Sequence, residues 1–173
     1  MEFQQLIAKR TCIRAYKDTP VTSMQLQTLL ESAILAPNAC NLQSWHFYAI
    51  TDKATIDAFH PDIAIIPWIK DISCMIVVAT DEKICQKLTD RFGAQGRLFA
   101  NQDAAGAINH MLLCAADMGL GGCWVGPMKT EKCKQHLHMP DHHTPLAIVT
   151  IGTPAADVPK RGRKPLSEVV TMI

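Results

Sequence analysis

Four short segments hold the residue types that bind and orient ligands, and each admits more than one reading. Arg10-Thr11-Cys12-Ile13-Arg14 sets two guanidiniums four residues apart with a hydroxyl between them. Such groups can converge on a phosphate and a sugar chain through charge-assisted hydrogen bonds; a solvated basic turn has the same composition. Pro37-Asn38-Ala39-Cys40-Asn41-Leu42-Gln43-Ser44-Trp45 is rich in amides and runs into a Trp. It suits a planar heterocycle with many donors and acceptors, and equally a plain helix-to-strand loop. Gly119-Leu120-Gly121-Gly122-Cys123-Trp124-Val125-Gly126-Pro127 has four glycines. The sixth position from Gly119 is Trp124 and the segment precedes a strand, so it is not a dinucleotide fingerprint. Missing side chains there allow close approach to a flat ligand, whereas a helix C-cap and tight turn explain Gly119 alone. Pro159-Lys160-Arg161-Gly162-Arg163-Lys164-Pro165 gathers four cations in five residues, a pattern of solvated tails, nucleic-acid arms or partners of an anionic cofactor.

Other chemistries find less support. His136, His138, His142 and His143 with Asp141 could bind a transition metal. No Cys or acidic ligand joins them at a recognised spacing, and Pro140 interrupts a shared helix, so no metal is expected. Neither a Gly-x-Ser-x-Gly nucleophile motif nor a phosphate loop ending in Gly-Lys-Ser/Thr is present.

These segments sit between recognisable elements. Residues 2–9 read as a short helix, and Thr22 with Gln25 forms a capping-box pattern before the apolar stripe Leu26, Leu29, Leu30, Ala33 and Ile34. Pro37 stops that helix. Trp45 to Ile50 reads as a strand, and Met75 to Ala79 as a fully buried one. A long helix is expected from about Leu98 to Met118, with Ala104, Ala107, Ile108, Met111, Leu112 and Ala115 on one face and Gly119 as its C-cap. Strands follow at Cys123 to Val125 and Leu146 to Ile151. Strands separated by helices, with too few βαβ repeats for a doubly wound sheet, predict a mixed three-layer α+β domain.

The 173 residues suit one domain, 1–173. Apolar residues make up 48% and charged residues 19%, as in an ordered protein. Seventeen basic against sixteen acidic residues leave +1, which argues against a nucleic-acid or membrane-surface partner. The acidic, polar start is the reverse of a secretory signal, and the apolar stretches are too short to span a bilayer, so a cytoplasmic address is expected. Seven cysteines without a Cys-x-x-Cys pair predict small buried hydrophobes in place of disulfides.

Taken in order, the four segments resemble the FMN-dependent nitroreductase family in its short members, over nearly the whole chain from Arg10 to about Val170. The resemblance rests on R-T-C-I-R-A-Y, A-P-N-A-C-N-L-Q-S-W-H-F, G-L-G-G-C-W-V-G and the late basic segment before P-L-S-E-V-V. It implies a three-layer α/β/α fold with a mixed, mostly antiparallel sheet, and a homodimer with FMN at the subunit interface. By the same resemblance Arg10, Thr11, Cys12 and Arg14 hold the phosphate, ribityl chain and pyrimidine edge. Pro37, Asn38, Ala39 and Asn41 come from the partner subunit. Trp124, Val125 and Gly126 lie along the ring with a backbone N–H toward N5, Arg161 and Arg163 close on the phosphate, and residues 159–173 form an arm on the partner.

The implied reaction is ping-pong: NAD(P)H passes a hydride to flavin N5, then a nitroaromatic, quinone or similar acceptor takes it, with no catalytic side chain. The alternatives are a flavin reductase or dehydrogenase dedicated to one metabolite, and a flavin-binding redox sensor. Three departures stand out. Cys12 replaces a usual Ser, Asn38 and Ser44 replace common Ser and Pro, and Trp68 stands about where many relatives carry a Lys.

Overall fold

The computed structural model describes residues 2–173, so Met1 lies outside the described residues. The elements run α1 (Phe3–Lys9), α2 (Ser23–Ile34), a 3-10 turn (Ala39–Asn41), β1 (Trp45–Ile50), α3 (Lys53–Asp57), a second 3-10 turn (Pro67–Asp71), β2 (Cys74–Asp81), α4 (Glu82–Phe92), α5 (Gln95–Asp117), β3 (Gly121–Val125), α6 (Thr130–His136), β4 (His143–Gly152) and α7 (Leu166–Val169). The strands form one sheet in the order β1-β2-β4-β3. All three pairings are antiparallel, and the parallel component of the expected mixed sheet is the single bridge between Cys12 and Gly122.

The continuous apolar run of β2 reflects its central position. Cys74, Ile76 and Val78 face α2 and α5, packing with Leu29, Ala33, Ala107 and Met111. Met75 and Val77 face the opposite layer, with Phe59, Ile66 and Ile69. Alternate residues of a strand point to opposite faces, so only a strand covered on both sides keeps both sets apolar.

Helix boundaries follow local chemistry. The Thr22 hydroxyl accepts the Gln25 N–H at 3.2 Å while Gln25 Oε1 accepts the Thr22 N–H at 2.9 Å, completing the expected capping box. Helix α5 buries the expected stripe and stops at Gly119, whose φ of 76° is a left-handed conformation that glycine adopts without a Cβ penalty. Helix α4 was not expected from periodicity. Asp81 caps it by accepting the Lys83 N–H at 2.8 Å, and only Cys85 and Leu88 are buried, too thin a stripe to stand out.

Four of the seven cysteines, Cys74, Cys85, Cys123 and Cys133, are the expected buried hydrophobes, while Cys12 and Cys114 are half-buried and Cys40 is exposed; burial pushes the Cys74 and Cys133 thiols up to about 12.

Candidate functional site

The Arg10–Arg14 segment is held against the sheet edge beside β3. The Ile13 N–H donates to Gly122 O at 3.0 Å and the Lys17 N–H to Thr153 O at 2.8 Å, so the chain is laid down as a further edge segment. Tyr16 is buried beneath it. Its hydroxyl donates to Ile13 O at 2.6 Å and meets Thr150 Oγ1 at 2.8 Å. Burial raises the Tyr16 pKa, so the phenol keeps its proton and its role as donor.

The glycines of β3 make this approach possible, which corrects the sequence reading of that stretch. A Cβ on Gly121 would lie 2.8 Å from Ile13 Cβ, closer still to Ile13 Cγ1, and 3.1 Å from Pro154 Cγ. One on Gly122 would meet Leu112 Cδ2 at 2.7 Å. The missing side chains of Gly121 and Gly122 therefore admit the protein's own Ile13 and Leu112, not a ligand. Gly119 and Gly126 have nothing within 4 Å of their Cβ positions, and of these two Gly126 lines an apolar cavity.

Two of the four segments meet in a cleft of about 540 Å³. Arg10, Thr11, Cys12 and Arg14 line one side, and Lys160, Arg161 and Arg163 the other. Five cations face it and no carboxylate does. Like charges gathered this closely repel, and an anion of nearly two charges would relieve that repulsion through charge-assisted hydrogen bonds. Arg163 is turned back, donating from Nη1 to Arg161 O at 3.0 Å and Gly162 O at 3.1 Å. The Cys12 thiol is 3.9 Å from Arg10 Nη1, a weak contact.

The third segment lines an adjoining, mostly apolar cavity of about 500 Å³. Its walls include Trp124, Val125 and Gly126 with Ile63, Ala64, Trp68 and Met128. Arg14 lines both spaces, with its guanidinium 5.5 Å from the Trp68 ring centroid, a cation–π distance. The Trp68 indole N–H is buried and has no acceptor. Leaving such a donor unpaired costs about 1–3 kcal/mol. Sequence reasoning missed Pro61, Ile63, Ala64 and Ile65 on one wall and Met128 and Lys129 on another, because nothing in their spacing marks a ligand.

The Pro37–Ser44 loop lines neither space. It is nonetheless tightly built. Asp103 of α5, 4% exposed, accepts the Ala39 N–H at 2.8 Å on Oδ1 and the Ser44 hydroxyl at 2.9 Å on Oδ2. Asn38 Oδ1 accepts the Gln43 N–H at 2.9 Å. Cys40, Asn41 and Gln43 have φ of 55°, 55° and 53°, left-handed conformations that persist only where surroundings enforce them. Asp103 was missed by the sequence reading. Its spacing one residue before Ala104 and three after Ala100 places it on the buried face of α5, where a lone carboxylate was the available signal.

The family model described as the nitroreductase family matches residues 7–72 and 66–153. An Archaeoglobus fulgidus protein whose name joins NADH dehydrogenase with NAD(P)H nitroreductase is 27% identical over 157 residues, covering 88% of this chain and 86% of that protein. The FMN reductase (NADPH) of Bacillus subtilis strain 168 is 27% identical over 176 residues, 95% of this chain and 71% of its own. Among solved structures, NfrA1 of B. megaterium superposes with a TM-score of 0.88 at 26% identity, covering 98% of this chain and 73% of that one. The family match spans more than half of the residues, including the Arg10–Arg14 and Trp124–Gly126 segments, and the chain belongs to the nitroreductase family.

Proposed function

We propose that this chain is an NAD(P)H-dependent FMN oxidoreductase that works as a homodimer and reduces small conjugated acceptors such as nitroaromatics or quinones. As a member of its family it is an oxidoreductase. The observation that supports the cofactor is the junction at Arg14 of a carboxylate-free cation cleft with an apolar cavity. A phosphate monoester suits the first and a flat ring the second, so one molecule bearing both would span them.

The chain's own residues fit that molecule. Arg10, Arg14, Arg161 and Arg163 supply guanidiniums for the phosphate, and Thr11 and Cys12 flank the path toward the ring. Trp124, Val125 and Gly126 form a wall for the ring, and Trp68 belongs to the same lining. Bound there, FMN supplies the two-electron chemistry, taking a hydride from NAD(P)H at N5 and passing it to the acceptor. No side chain is assigned as nucleophile or general base.

The homodimer is supported by what lies outside these spaces. Pro37, Asn38, Ala39 and Asn41 sit in a hydrogen-bonded loop that lines neither the cleft nor the apolar cavity of their own chain, as suits a loop offered to a partner's site. The arm 159–173 is exposed throughout, with Leu166 77% and Met172 90% accessible, and helix α1 exposes Phe3. Apolar side chains in such an arm gain stability by packing on a second copy. No helix of the described residues is long and apolar enough to cross a membrane.

The visible spectrum of the purified protein tests the cofactor directly. A flavin spectrum whose released chromophore chromatographs as FMN, and which bleaches on anaerobic addition of NADH or NADPH, is expected. Colourless protein that takes up no FMN at micromolar concentration would refute it.

A further inference from the structure

The histidines that cluster in sequence separate in space, and one pair gains a partner from another strand. His136 packs its ring on Phe59 and sets Nε2 3.1 Å from Thr55 O. His142 and His143 turn the other way, to the end of β2, where Asp81 pairs with His143 across the sheet. One ligand atom from each of Asp81, His142 and His143 lies within 4.8 Å of the others. We infer that these three residues form a binding site for one divalent transition ion of the zinc class.

The ordinary structural duties of these residues do not use up their ligand atoms. Asp81 caps α4 through Oδ1 alone. Tyr48 Oη lies 2.5 Å from His143 Nδ1, so with the Nδ1 proton directed to that hydroxyl oxygen the Nε2 lone pair is left for a metal. The His142 ring packs edge-on against that of His143, with centroids 4.5 Å apart, and among the described residues no hydrogen bond engages it. His143 is buried at the end of the sheet, 6% exposed. Tetrahedral zinc sets its ligand atoms about 3.4 Å apart, so side-chain rotation of the half-buried Asp81 and His142 must close roughly 1.4 Å at most. His46 of β1, its ring centroid 4.3 Å from that of His143, stands where it could add a fourth nitrogen. Two imidazoles and a carboxylate select zinc, cobalt or nickel over calcium or magnesium, which prefer all-oxygen sites.

An ion here would staple β2 to β4. It would also steady the closure of the Pro37–Ser44 loop, since the Asp81 N–H donates to Ser44 O at 2.8 Å. The site stands apart from both spaces assigned to the flavin, so it does not rest on that reading.

The test uses the full, untagged protein as purified, freed of metal by a chelator and titrated with Zn²⁺ by calorimetry and Co²⁺ by its d–d absorption. One ion per chain at micromolar concentration is expected, with a melting temperature that rises with Zn²⁺. His142→Ala and Asp81→Asn, which keeps the cap, should each remove that binding and that rise. Tyr48→Phe should weaken affinity about 10–100-fold, as for loss of a group that orients a ligating His. No binding at tens of micromolar, binding unchanged in both ligand variants, or binding lost only with His136→Ala and His138→Ala together would each overturn the assignment.

Discussion

Gly121→Ala probes the feature on which the site depends, the close seating of Ile13 on β3. The new Cβ would lie 2.8 Å from Ile13 Cβ and 3.1 Å from Pro154 Cγ, and nearer still to Ile13 Cγ1. Carbon atoms rest at about 3.5–4.0 Å, so the Arg10–Arg14 segment must retreat by roughly 1 Å or more. It cannot do so freely. Ile13 is buried and tied to Gly122 O at 3.0 Å, and Tyr16 fastens the same segment from below. Overpacking of this kind costs about 1–3 kcal/mol, and the lower entropy of the unfolded chain offsets about 0.4–1 kcal/mol. The net loss of about 1–2 kcal/mol lowers the melting temperature by roughly 2–8 °C for a chain of this length. Thermal or urea unfolding of the apoprotein measures it. FMN affinity should fall as well, because Arg10 and Arg14 move with Ile13. In the Ile13→Ala background, which removes the nearest side-chain atom, Gly121→Ala should cost at least ~0.5 kcal/mol less, as expected for touching residues. If Gly121→Ala leaves apoprotein stability intact and weakens only FMN binding, the glycine serves the ligand and the packing argument is wrong.

Three further outcomes are expected. Replacing Arg161 and Arg163 together by Ala should weaken FMN binding by about two orders of magnitude, since a hydrogen bond to a charged group is worth about 1.5–3 kcal/mol. Riboflavin affinity, which involves no phosphate, should be spared, and equal loss of both ligands by fluorescence titration would remove these arginines from the phosphate site. Asp103→Ala leaves the Ala39 N–H unpaired and the Ser44 hydroxyl with only its 3.4 Å contact to Ala100 O, and should cost about 2 kcal/mol or more in urea unfolding. Asp103→Asn, which can still accept from Ala39 and donate to Ser44, should lose less, and equal loss would show that the loop is not held by these bonds. Cys12→Ser should keep or tighten FMN binding because a hydroxyl is the better hydrogen-bonding group, while Cys12→Leu should weaken it; indifference to both would place Cys12 away from the cofactor.

Much of the architecture was legible along the chain because its causes are local. The Thr22–Gln25 box, the stripe of α5, the stop at Gly119 and the doubly buried run of β2 each arise from residues within a few positions of one another. The two arginine segments were likewise visible as charge, and their order along the chain carried the family resemblance. What they face was not visible. That Arg10 and Arg14 share a cleft with Lys160, Arg161 and Arg163 depends on the chain returning past β4 to the edge where the first segment lies. Gly121 and Gly122 read as openings for a ligand until Ile13 and Leu112 were seen to occupy them. Asp103 gained its role only when the helix that bears it packed under the Pro37–Ser44 loop. The histidines make the same point in reverse, since sequence neighbours parted and Asp81 entered from another strand. Periodicity and capping are short-range effects and are written in the sequence directly. Which distant side chains share one space is settled by burying both faces of β2 at once, a constraint that exists only in the folded chain.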